Sequence, residues 1–206
     1  TTVIGNDGRP FEIQIRTNLQ HTWSAIEHDL GYKSEFGVPR VVVRQFARLA
    51  GLLELADDEF VRIRSRMQEY TEEIRQKIAQ GCADDVQIDL ISLEEYMKRN
   101  QEMRSFLTEL SALADSGNGP AEISEVSVET YVQQLHWLGI TTIGNLQRML
   151  SENRELALTL AGRVLGSTDF DILSSSIGLR YLCRALLLKK RYTQEQIAEF
   201  FRLSTS

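Results

Sequence analysis

Apolar residues recur along this chain with two periods, and the change from one to the other falls near residue 17. Phe11, Ile13 and Ile15 alternate with Glu12, Gln14 and Arg16, the two-residue period of a strand with one apolar face. Val3-Ile4 is a shorter run of the same kind. Asn6-Asp7-Gly8 lies between them, and Asp-Gly accepts the positive φ of a tight turn, so the opening residues predict a β-hairpin. From Asn18 the period becomes about 3.6 residues, that of a helix. Thr17 can cap a first helix with the stripe Leu19, Trp23, Ile26 and Leu30. Gly31 and then Gly37-Val38-Pro39 interrupt it. Arg40 to Ala56 read as a second helix, and Asp57 starts a third that reaches Ala79, with Phe60, Ile63, Met67, Tyr70, Ile74 and Ile78 as its stripe.

Gly81 to Asp89 reads as a boundary between two domains, 1–80 and 81–206. Beyond it, Ser92 with Glu95 has the spacing of a capping box opening a helix to Ala114. Asp115 to Pro120 is the clearest loop of the chain. Helices are then expected over Ser127–Leu138, Ile143–Ser151, Arg154–Leu165 and Ile172–Lys190, with Thr193 capping a last one to Phe201. The fold class is therefore α+β, mostly helical, with an N-terminal hairpin followed by an all-α domain.

Composition narrows the function classes. The chain has 206 residues, 42% of them hydrophobic and 25% charged, which is ordinary for a globular protein. A net charge of −6 argues against a general binder of nucleic acid or anionic membranes. No apolar run is long enough to span a bilayer, and no signal peptide is seen. Cys82 and Cys183 lie far apart, outside any CxxC spacing, and read as reduced thiols of a cytoplasmic protein.

Three basic or turn-like features carry bland readings. Arg40, Arg44 and Arg48 share one helix face and read as a solvated surface paired with acids such as Glu35 and Asp58; phosphate binding is the sharper alternative. Leu138 to Leu146 resembles the turn of a helix-hairpin-helix module, yet acids outnumber bases from Gly81 onward, so a helix junction capped by Thr141 or Thr142 is the reading adopted. Lys189-Lys190-Arg191 complements a helix C-terminus.

The chemistry concentrates in Glu12 to Lys33, EIQIRTNLQHTWSAIEHDLGYK. One strand face would present the carboxylate of Glu12, the amide of Gln14 and the guanidinium of Arg16 in a row: a metal ligand, a two-way hydrogen-bonding group and a phosphate fork. From spacing alone, these three could equally be the solvated face of an edge strand. His21 and His28 lie two turns apart, about 10 Å of helical rise, too far to share one ion. Trp23 and Ile26 read as core contacts.

The run EIQIRT, followed by Trp23, Ser24, Glu27-His28 and Tyr32-Lys33, resembles the closing part of the RelA/SpoT-type alarmone synthetase domain, a nucleotidyltransferase-like fold. The likeness covers residues 1–35 closely and the helices to about residue 80 weakly. It implies a pyrophosphokinase of the stringent response, which moves the β,γ-pyrophosphate of ATP to the ribose 3′-hydroxyl of GDP or GTP with Mg²⁺ to make (p)ppGpp. By position, Glu12 would stand at the reacting centre, binding Mg²⁺ or helping to deprotonate the 3′-hydroxyl. Gln14 and Arg16 would hold the strand's site face and nearby phosphate, and His21 would lie near the guanine. A second acid, a basic ATP loop and a guanine-stacking tyrosine belong to upstream segments of that family, and none can be placed here. The expectation is the closing piece of a synthetase domain, inactive alone, with a helical regulatory or oligomerisation domain attached. A homo-oligomer through the helices is compatible with this. Two alternatives stay open: a degenerate synthetase that senses a nucleotide or binds a protein, and a related pyrophosphotransferase with another acceptor.

Overall fold

A computed structural model describes residues 2–4, 10–32, 37–114, 120–166 and 172–203; the side chains of 2–4, 10–12 and 30–32 are outside that description. The chain divides into two units, Thr1–Glu69 and Tyr70–Ser206.

In the first unit, strands β1 (Thr2–Ile4) and β2 (Pro10–Glu12) pair antiparallel with Thr2 opposite Glu12 and Ile4 opposite Pro10. The predicted Asn6-Asp7-Gly8 turn lies outside the described residues. Strand pairing stops at Glu12 rather than reaching Arg16. In this register Ile13 and its successors lie beyond the three residues of β1. Helix α1 (Asn18–Tyr32) follows, and Thr17 caps it as its sequence predicts. The Gln20 amide donates to the Thr17 hydroxyl at 3.1 Å, and the Thr17 amide donates back to the Gln20 side-chain carbonyl at 3.2 Å.

Helix α2 runs unbroken from Arg40 to Ala79, where two helices meeting at Asp57 were expected. Neither Gly nor Pro follows Asp57, so nothing stops the helix, and the Asp57 carboxylate instead accepts the Thr17 hydroxyl at 2.6 Å. Charge pairs lace the helix near its end: Lys77 with Glu73 and Arg75 with Glu72.

The second unit is helical but not purely so. Helix α3 (Leu90–Arg99) begins one turn earlier than the predicted capping box. Asp89, not Ser92, is its cap: the Asp89 carboxylate accepts from the Ser92 amide at 2.8 Å and the Ser92 hydroxyl accepts from the Asp89 amide at 2.9 Å. Glu95 is occupied elsewhere, by Arg75 and Arg99. Asn100 then closes α3 and caps α4 (Gln101–Leu113), splitting what reads as one helix. Of the predicted Asp115 to Pro120 loop, all but Pro120 lies outside the described residues.

Strand β3 (Glu122–Ser124) leads to α5 (Glu129–Trp137) and α6 (Ile143–Leu165). Helix α6 is continuous across Ser151 to Arg154, where a break was predicted. The Ser151 hydroxyl donates to the Gln147 carbonyl and the Asn153 amide to the Met149 carbonyl, each within the helix. Strand β4 (Ile172–Ser174) pairs parallel with β3, so Ile172 opens a strand rather than a helix. Helices α7 (Ile177–Lys189) and α8 (Gln194–Arg202) complete the unit, the latter capped by Thr193 with Gln196 as predicted.

The core belongs to this unit. Ile143, Leu146, Leu150, Ala157 and Ala161, all on one face of α6, are fully buried, and α6 packs chiefly on α7 and α4. Each buried Leu or Ile of that face contributes about 1.5–3 kcal/mol. Among the described residues, no helix is long and apolar enough to cross a membrane.

Candidate functional site

The structure positions the predicted site residues on a short path from β2 into α1. Glu12 is the last residue of β2, and its backbone faces Thr2. Gln14 and Arg16 lie exposed in the segment that joins β2 to α1. The alternation that sequence suggested is not sealed by burial here: Ile13 is 45% exposed and Ile15 is 92% exposed.

Arg16 does not stand alone on a strand face. Its Nη1 donates to the Ser24 hydroxyl of α1 at 2.7 Å, which ties the guanidinium to the second turn of the helix. Thr17, next in sequence, caps α1 with its backbone and hydroxyl and donates that hydroxyl to Asp57 of α2. Trp23 stacks edge-on against Phe46 of α2, with ring centroids 5.2 Å apart. Arg16, Thr17 and Trp23 are thereby fixed by three separate contacts within the first unit. Asp57 positions Thr17 and Ser24 positions Arg16, roles that the sequence did not assign to them. Asp57 reads from sequence as a helix start, because Asp is a common cap.

His21 is exposed in the first turns of α1, its amide bonded to the Thr17 carbonyl. Trp23 is half-buried, as expected of a core contact, whereas Ile26 is 43% exposed. Glu27 and His28 are exposed on α1. Tyr32 ends α1, and Lys33 and Glu35 lie outside the described residues. Arg40, Arg44 and Arg48 are exposed on α2.

Among the described residues, no group of three or more His, Cys, Asp or Glu stands close enough to hold a metal ion; the Glu12 side chain is outside them. Chemically, this segment offers a carboxylate at a strand end followed at once by an amide and an arginine locked to a helix. Such an arrangement can bind and orient a phosphate; neutralising a transferring pyrophosphate needs further cationic groups.

The helix-hairpin-helix-like turn is engaged internally. Gly139 sits at φ +80°, the Ile140 amide closes on the Leu135 carbonyl at 2.9 Å, and the Ile143 amide donates to the Val86 carbonyl at 2.8 Å. Thr142, one of the two threonines expected there, caps α6. Lys190 reaches the Leu138 carbonyl just past the end of α5, so it complements that neighbouring helix.

No family model matches the chain, and no solved structure matches it. A stretch of 68 residues is 37% identical to the GTP pyrophosphokinase YjbM of Bacillus subtilis (strain 168), covering 33% of this chain and 32% of that protein. The chain spans about a third of the length of this curated relative. It therefore contains a region similar to an alarmone synthetase.

Proposed function

We propose that residues 1–80 form the closing part of a GTP pyrophosphokinase site, which transfers the β,γ-pyrophosphate of ATP to the 3′-hydroxyl of GDP or GTP. The observation that carries this reading is the identity to a GTP pyrophosphokinase in a chain whose most chemically loaded segment is Glu12-Ile13-Gln14-Ile15-Arg16. Glu12 is the carboxylate at the reacting centre and one ligand of Mg²⁺. Arg16, held by Ser24, offers its remaining N–H groups to phosphate oxygens. Gln14 lies between the two and orients the same phosphates, while His21 lies on the side of α1 that meets the guanine. Nucleotide substrates set the enzyme in the cytoplasm. Residues 81–206 are a helical regulatory or oligomerisation domain.

The test is synthesis of labelled (p)ppGpp from ATP with GDP or GTP and Mg²⁺. It compares this chain, a version extended upstream, and the extended version carrying Glu12→Gln. The expected result is activity in the extended version alone, lost on substitution with the fold retained. Turnover in Glu12→Gln would show that the reacting carboxylate lies elsewhere. Silence in all three folded proteins would leave a degenerate, nucleotide-sensing or protein-binding module, or another acceptor.

A further inference from the structure

Helix α7 carries Arg180 and Arg184 four residues apart, the spacing that puts two side chains on one helix face. Neither makes an ion pair with any described residue, although acids outnumber bases in this part of the chain. Both line a cavity of about 270 Å³ between α5, α7 and α8. Tyr131 and Gln134 of α5 and Phe200 and Phe201 of α8 form the rest of the wall used here, and no carboxylate is among the described residues lining it.

The wall is well fixed. The Arg184 guanidinium lies 5.5 Å from the Tyr181 ring centroid, a cation–π distance. Phe200 is 1% exposed and packs edge-on against Trp137 at 5.5 Å. Phe201 meets Phe200 edge-on and is 46% exposed, placing an aromatic edge where the cavity opens to solvent. Burial holds the Tyr131 phenol above its ordinary range, against a hydrogen bond with Ser176 and the nearby charges of Arg180 and Arg184.

Two guanidiniums without a carboxylate partner among the described residues, beside aromatic walls, are complementary to an anion joined to a flat or apolar body. Planar N–H forks match phosphate oxygens in particular. The volume falls just below the roughly 300–1,000 Å³ typical of pockets for drug-sized ligands, so the ligand is small. We propose that this cavity binds a small phosphate monoester, the phosphate between Arg180 and Arg184 and its organic body against Phe200 and Phe201. All of these residues belong to the second unit, so the inference is independent of the pyrophosphokinase reading.

Equilibrium dialysis of the full chain against phenyl phosphate, inorganic phosphate and benzoate, at fixed ionic strength, tests it. Saturable phenyl phosphate binding is expected, about ten-fold tighter than either fragment of the ligand. Arg180→Gln, at an exposed position that the fold does not depend on, weakens it about ten-fold, the loss of one charged hydrogen bond. Phe201→Ala weakens phenyl phosphate and leaves inorganic phosphate unchanged, while Arg16→Gln changes neither. The proposal is overturned by benzoate binding as tightly as phenyl phosphate, by absence of saturable binding, or by affinity that survives Arg180→Gln. Loss of binding in Arg16→Gln would move the phosphate to the first unit and overturn it equally.

Discussion

Arg75 grips Glu95 with two parallel hydrogen bonds, Nε to Oε2 at 3.1 Å and Nη2 to Oε1 at 3.2 Å, tying the end of α2 to α3. Glu95 is 6% exposed and also accepts from Arg99 at 2.8 Å. Burial pushes its carboxyl up, but the hydrogen bonds and charges of Arg75 and Arg99 outweigh it, and the net shift is downward. A carboxylate lowered on folding stabilises the native state above the ordinary Glu value, near 4.5, and this is lost as pH falls through the folded value. Glu95→Gln is therefore expected to cost about 1–2 kcal/mol at pH 7, toward the low end because both arginines are half in water. It should also flatten the acid limb of the stability curve. Urea unfolding from pH 7 to pH 3 checks both; an unchanged acid limb would mean that Glu95 is not the group being titrated.

Gly144 and Gly162 lie in the same helix, α6, but differ in surroundings. A Cβ on Gly144 would sit 2.6 Å from the Asp84 Cα, a backbone atom that cannot step aside, whereas on Gly162 it would meet only a Leu113 methyl at 4.0 Å. Gly144→Ala should cost about 1–3 kcal/mol and lower the melting temperature by roughly 3–10 °C. Gly162→Ala should gain about 0.5–1 kcal/mol from helix propensity. Melting curves followed in the near-UV report on both; a neutral Gly144→Ala would show that the Asp84 loop yields.

The same apolar stripe of α2 meets two fates, which makes a third prediction. Tyr70, Ile74 and Ile78 pack into the second unit's core, while Phe60, Ile63 and Met67 are 63%, 48% and 55% exposed. No buried hydrophobic residue occurs among the described residues before Ile74. Amides of Arg40 to Glu69 should exchange roughly 100-fold faster than those of Leu146 to Ala161 in this chain alone. Equal protection would mean that something beyond the described residues covers that stripe.

That stripe also shows how far the sequence carries. Periodicity is a local property, so it revealed that Phe60 to Ile78 share a helix face, and the caps at Thr17, Thr142 and Thr193 were legible for the same reason. Which half of the stripe is buried is a tertiary matter. Asp57 and Ser92 misled because Asp and Ser serve as caps or as side-chain partners with the same chemistry, and only the neighbours Thr17 and Asp89 decide. Strands β3 and β4 are three residues each, too short to establish a period. At the candidate site, the residue types of Glu12 to Arg16 were readable, but the Arg16–Ser24 bond was not, since it joins residues eight apart across a change of backbone direction. Arg180 and Arg184 passed unnoticed because an i,i+4 arginine pair on an amphipathic helix has the pattern of any solvated face.

The two cysteines should differ sharply in reactivity. Cys82 is exposed just past the end of α2, with its thiol 3.7 Å from the Gln80 carbonyl. Cys183 is 1% exposed in α7, and burial raises its thiol to about 12. The thiolate is the nucleophile, so at neutral pH Cys183 is both shielded and protonated. Iodoacetamide at pH 8 should alkylate Cys82 within minutes and Cys183 only on the timescale of unfolding. Peptide mass spectrometry of a labelling time course separates the two sites. Raising the pH to 9.5 should leave Cys183 limited by opening of α7. Matching rates at the two positions in the native protein would show that α7 is not packed as described.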